Sequence, residues 1–243
     1  MESSTTTAPH SRETSIWQRW LHHPESLWLH RVLFQIHMMV GIVVGLYVLV
    51  MSVSGSIIVY RDLLESSGDP NSNLFRAVEW LVDLHGNLLA GNTGRRLNGV
   101  GAACLTLLCL TGIVIWWPGI RHWRRSLTVN SRSSFARITW DLHNVLGFWC
   151  LLILLVWGLS ALSFSFPEMF NSLFDVLEPG SAGKPRFGDK ALSLLSNLHF
   201  GRFDWFTQAL WAALGLVPAV LAFTGVFMCC HRIFRRGGAP FPK

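Results

Sequence analysis

Charge is scarce in this sequence. Asp, Glu, Lys and Arg make up 14% of the 243 residues, against 51% hydrophobic residues and a mean hydropathy of +0.38. Four stretches, 32–60, 97–120, 142–166 and 206–230, hold no Asp, Glu, Lys or Arg at all. A hydrocarbon core of roughly 30 Å takes about 20 such residues in a helix. Each stretch is therefore predicted to cross a membrane, and the soluble domain or two that the length alone would suggest is excluded. Cysteine is equally uninformative as a staple. All five (Cys104, Cys109, Cys150, Cys229 and Cys230) lie inside these stretches, so no extracellular disulfide framework is expected. "CCH" at 229–231 lacks the C-x-x-C-H spacing of covalent haem attachment. No cluster of four cysteine, histidine or carboxylate ligands suits zinc. No G-x-S-x-G, phosphate-binding loop or dinucleotide fingerprint is present, and the glycines of "GNTG" read as turn residues. A small-residue cleavage site is also missing before the first apolar run, which reads as a retained anchor rather than a signal peptide.

The charge that is present is unevenly placed. Segments 1–31, 121–141 and 231–243 hold 12 basic and four acidic residues, a net of +8. Segments 61–96 and 167–204 each hold four basic and five acidic residues, together −2. Basic loops stay in the cytoplasm. Both termini and the middle loop are thus expected inside, with 61–96 and 167–204 outside. The overall +6 is then mostly topology, the partner it implies is membrane lipid, and no nucleic-acid partner is expected. "WWPGIRHW" at 116–123 supplies interfacial tryptophans and a helix-ending proline.

The two halves of the chain repeat a pattern. His37-x-x-x-Gly41 is matched by His143-x-x-x-Gly147, and Ser54 and Ser160 each follow their histidine by 17 residues. In the next helix of each half, His85 leads to Thr111-Gly112 after 26 residues and His199 leads to Thr224-Gly225 after 25. Each half runs in, out and in again, so the repeats are parallel, and sites are favoured at the interface of such repeats. His37 follows Arg31 by six residues and His143 follows Arg137 by six. Both therefore lie about 9 Å from the basic edge at 1.5 Å per residue. His85 and His199 both precede an inward-running helix, near the outer face. Two depth-matched histidine pairs are expected, one near each surface.

An imidazole in a membrane needs a partner. A lone one is ordinarily a hydrogen-bonded packing residue. Two symmetry-related pairs also suit axial ligation of b-type haem between facing helices of a bundle. Gly41, Gly45, Gly55 and Gly147 would let a flat macrocycle approach the backbone, although glycine serves close helix packing as well. Arg31 and Arg137 inside, and Arg95, Arg96 and Arg202 outside, could meet haem propionates or simply snorkel to the interface. His10, His22, His23, His30, His122 and His231 lie in polar or basic ends and carry a weaker signal.

At "QIHMMVGIVVGLYVLVMSVSGS", "LHGNLLAGNTGRRL", "DLHNVLGFW" and "LHFGRF" the sequence resembles the PepSY-associated transmembrane helix family, over about residues 30–236. The resemblance implies a four-helix bacterial inner-membrane protein. Some members look like dihaem reductases of iron–siderophore complexes, and their ligand positions fall on His37, His85, His143 and His199. Longer members carry periplasmic PepSY domains between the first two helices, a segment that here (roughly 61–84) is too short for one. The expectation is an all-α integral membrane bundle of two pseudo-symmetric hairpins, spanning 31–236 between a cytoplasmic segment 1–30 and a tail 237–243. It would move electrons through two b haems from a quinol or a cytoplasmic donor to a ferric chelate or another periplasmic acceptor. The alternative is a non-redox membrane subunit or transporter component linked to iron uptake.

Overall fold

A computed structural model of the chain describes residues 15–66, 69, 72–120, 122–179, 186–201 and 204–237. His10, Arg202 and the tail beyond Gly237, all invoked above, lie outside the described residues. Among the described residues the regular elements are all helical: α1 (Ile16–His22), α2 (Trp28–Ile58), α3 (Arg61–Ser66), α4 (Asn73–Asn87), α5 (Gly91–Trp116), α6 (Phe135–Trp149), α7 (Leu151–Ser165), α8 (Pro167–Leu177), α9 (Phe187–Phe200), α10 (Trp205–Gly215) and α11 (Val217–Gly237).

α2, α5 and the run Trp205–Phe234 made by α10 and α11 are each long and apolar enough to cross a membrane; α6 and α7 qualify together as a fourth. α2 packs on α5, α11, α10 and α4, while α7 packs on α5 and α9. Large apolar side chains point away from these contacts, as at Val43 (77% exposed) and Leu152 (76%). The interior instead holds small and hydroxylated residues, with Ser160 fully covered. This inversion is what lipid demands: hydrocarbon gives no hydrophobic drive between helices, so close packing and internal hydrogen bonds hold them.

The structure adds detail to three expectations. The stretch 142–166 is not one straight helix: α6 and α7 meet at Cys150 with a bend of 66°. The bend sends α6 against α11 and α7 against α5. Segments 61–96 and 167–204 are not plain loops, because α3, α4, α8 and α9 occupy them. Local chemistry explains their ends. Ser72 accepts from the Phe75 amide to cap α4, Pro167 opens α8, and Leu88 and Gly201 close α4 and α9 in the left-handed region at φ 52° and 60°. Of "GNTG", Gly91 completes that turn with φ 54°, but Gly94 sits inside α5, where a Cβ would strike the Asn87 carbonyl.

Candidate functional site

The structure brings the four histidines together as two pairs. The His37 and His143 rings have centroids 6.4 Å apart with an interplanar angle of 86°. The His85 and His199 rings are also 6.4 Å apart, at 61°. His37 stands on α2 and His143 on α6, whereas His85 and His199 sit in the last turns of α4 and α9.

Each ring is held the same way. His37 Nδ1 lies 2.9 Å from Thr111 Oγ1, and His143 Nδ1 lies 2.9 Å from Thr224 Oγ1. His85 Nδ1 lies 3.0 Å from Ser54 Oγ, and His199 Nδ1 lies 2.6 Å from Ser160 Oγ. A hydroxyl has one proton to give. Here each gives it to a carbonyl four residues back in its own helix: Thr111 to Leu107 at 2.8 Å, Thr224 to Val220 at 2.7 Å, Ser54 to Val50 at 2.7 Å and Ser160 to Val156 at 2.6 Å. The hydroxyl oxygen must then accept from Nδ1–H. That fixes the tautomer of all four neutral rings and leaves Nε2 as the basic nitrogen. The four hydroxyl residues are at most 4% exposed, so water does not compete for the bond.

At three of the four sites the residue after the hydroxyl is a glycine facing the ring, most closely at Gly55, whereas Ala161 follows Ser160. A Cβ on Gly112 would come 3.3 Å from His37 Cε1, one on Gly225 3.4 Å from His143 Cε1, and one on Gly55 2.9 Å from His85 Cε1. The His85 and His199 helix ends are also tied from the following helix. Asn98 Nδ2 donates to the His85 and Gly86 carbonyls at 2.8 and 3.2 Å, and Trp211 Nε1 donates to the Leu198 carbonyl at 2.7 Å. Tyr47, on α2, donates to Asn98 Oδ1 and so completes the clasp.

Beside His37 and His143 lies a cavity of about 760 Å³. Gly41, Gly45 and Gly147 line it, and His30, Trp116, His231 and Arg232 line its end at the termini of α2, α5 and α11. Two neutral imidazoles so placed can ligate one metal centre between them. Among the described residues no three histidine, cysteine or acidic side chains gather as a site for a bare ion.

Neither of the two inner arginines named from the sequence lines this cavity. Arg137 pairs with Asp141 at 2.9 Å, and Arg31 is exposed and does not line the cavity. Arg95 and Arg96 are exposed. His30 Nε2 lies 3.3 Å from the Ile115 carbonyl, and His23 faces Glu25 at 3.3 Å. In the sequence, Ser54, Ser160, Thr111 and Thr224 stand out as repeat positions and not as the histidines' partners. The matched 17-residue offsets were the available signal. Nothing in the sequence pointed to Asn98 or Trp211, and Arg232 stood out only as part of the basic segment 231–243.

A family model described as the PepSY-associated TM region matches residues 63–186 and 177–232. The chain belongs to this family. As a PepSY-associated protein with several helices of spanning length, it is a multi-pass membrane protein. It is also similar to an uncharacterized protein of Pseudomonas aeruginosa, 34% identical over 85 residues. That match covers 34% of this chain and 20% of the relative, so it spans about a fifth of the relative's length.

Proposed function

We propose that this chain is a four-span bundle of two parallel hairpins that transfers electrons across the bacterial inner membrane through two b-type haems. His37 and His143 hold one haem near the cytoplasmic face. His85 and His199 hold the other near the periplasmic face. A quinol or a cytoplasmic reductant is the donor class, and a ferric chelate is the acceptor class. Counting α6 with α7 and α10 with α11 as broken single spans gives the four passes. Basic segments at both termini and at 121–141 favour an inside location for them.

One observation carries the reading: all four Nδ1 positions are hydrogen-bonded by hydroxyls whose own protons are committed, which leaves four Nε2 lone pairs grouped two by two. A metal-ligating histidine characteristically donates its other ring N–H to an orienting partner. The spacing agrees. Nitrogens about 2 Å from a metal, as in other imidazole complexes, put two opposed ring centroids roughly 6 Å apart, and both pairs measure 6.4 Å. The cavity and its glycines suit a flat apolar body of the size that ligand pockets of about 300–1,000 Å³ accept. Haem, when bound, supplies a reversible one-electron couple. The chain's own contribution is to fix the rings, keep the backbone out of the way and exclude water with small, self-satisfied side chains.

The test is the absorbance spectrum of the purified chain with its variants. The parent is expected to have a Soret band and a dithionite-reducible α band equivalent to two haems. His37→Ala or His143→Ala is expected to remove one, and His85→Ala or His199→Ala the other. A parent without a Soret band would instead favour a non-redox membrane subunit or transporter component, in which the hydroxyl bonds merely satisfy packed imidazoles.

A further inference from the structure

Among the described residues Trp116 carries the one buried side-chain nitrogen or oxygen without a hydrogen-bond partner. Its Nε1 is shut off from solvent and has no hydrogen-bond partner among the described residues. Its neighbour Trp117 donates its Nε1–H to the Trp20 carbonyl at 3.2 Å, so the local backbone can supply an acceptor, yet Trp116 uses none. The Trp116 ring is instead pinned against Phe148, centroids 4.2 Å apart, on the wall of the His37–His143 cavity. Indole N–H is a donor only, and leaving it unmet in a buried place is costly.

The same end of the cavity holds a second donor without an acceptor. Among the described residues Arg232 is the one arginine or lysine lining the cavity, and none of the described Asp or Glu lines it. Its guanidinium lies over the Phe34 ring at 5.2 Å, and no ion pair is recorded for it among the described residues. By contrast Arg137 is already matched with Asp141. The cavity is thus mostly apolar, has two ligating rings in its wall, and ends at the half-buried Arg232 beside the sealed Trp116 Nε1. Its complement is an apolar body with an acceptor-rich, anionic end.

We propose that Arg232 and Trp116 together form the seat for the carboxylates of the cytoplasmic-side tetrapyrrole. This rests on the reading of His37 and His143 as haem ligands and adds the residues that orient the macrocycle between them. Arg232, half-buried at the end of the cavity, takes a carboxylate as a charge-assisted partner. Trp116 Nε1–H supplies a neutral donor to the same end. The rings alone would allow rotation about the axis joining them. The seat removes that freedom and aims the charged edge at the cytoplasmic interface.

The experiment uses the full chain carrying His199→Ala, so that one intact pair remains, produced without haem and titrated with ferric haem or with ferric haem dimethyl ester. The parent is expected to bind haem at least about tenfold more tightly than the ester, which lacks free carboxylates. Arg232→Ala is expected to lower haem affinity about tenfold and leave ester affinity unchanged, with Arg232→Lys recovering part of the loss. Trp116→Phe, which keeps the ring on Phe148, is expected to have a smaller effect of the same kind. Equal affinity of the parent for both porphyrins would overturn the seat while leaving the haem site standing. So would an equal loss of both porphyrins in Arg232→Ala, which would make Arg232 a packing residue. Uptake of neither porphyrin would overturn the seat and the haem site together.

Discussion

At the scale of the residue, the informative atom is the hydroxyl proton. Thr111, Thr224, Ser54 and Ser160 each send it back to their own helix, and that single commitment sets the tautomer of a histidine on another helix. Thr111→Val keeps the shape and removes the acceptor. It is expected to lower haem affinity at the inner pair by about 10–100-fold, the usual effect of losing a ligand's orienting partner. Thr111→Ser is expected to restore it. Reconstitution followed by absorbance, with the outer pair as internal reference, measures this, and an unaffected Thr111→Val would remove the tautomer argument. The histidines themselves were legible from sequence because an imidazole stands out in an apolar run. Their hydroxyl partners were visible only as a repeated spacing, since serine and threonine are ordinary in membrane helices. Arg232 was legible only as topology charge: its place on the cavity wall depends on how α11 packs against α2 and α6.

At the scale of the element, the two halves share a pattern but not a shape. α2 and α5 run unbroken, while their counterparts are interrupted at Cys150 and at Leu216. The second break has a readable cause. Pro218 has no N–H to give and cannot continue the ladder. The gap is filled from another helix: Ser52 Oγ donates to the Gly215 carbonyl at 2.5 Å and accepts from the Ala219 amide at 3.0 Å, standing between two groups that an intact helix would join directly. Gly215 permits the approach, since a Cβ there would meet Ser56 Oγ at 2.5 Å. Ser52→Ala is therefore expected to lower stability in detergent by about 1 kcal/mol, measured as a shifted thermal midpoint. Ser56→Ala loses only a bond within its own helix, to the Ser52 carbonyl, and is expected to shift the midpoint less. Equal shifts would place the effect outside the bridge. The break at Cys150 has neither proline nor glycine at its centre. It follows from α6 and α7 having different neighbours, which no reading of the 142–166 run alone could give.

At the scale of the molecule, the histidine pairs are separated along the membrane normal by the span of the bundle. Ser54, which holds His85, lies 17 residues beyond His37 on the unbroken α2. At 1.5 Å per residue that is about 25 Å, most of the hydrocarbon thickness of roughly 30 Å. Under the proposed function, the polarity of the bundle decides which pair meets a cytoplasmic donor and which meets an external acceptor. Two features agree on that polarity. Segments 1–31, 121–141 and 231–243, at the His37–His143 end, carry net +8, and the segments around α4, α8 and α9 carry −2. Val176 on α8 is 77% exposed, and Ser131 lies in an exposed turn between α5 and α6. With the native cysteines replaced, Val176→Cys is expected to react with a membrane-impermeant maleimide on intact cells, and Ser131→Cys only after permeabilisation. The opposite pattern would invert the molecule: His85 and His199 would face the cytoplasm, Arg232 and Trp116 would sit at the outer surface, and electrons moving outward would enter where the present reading has them leave.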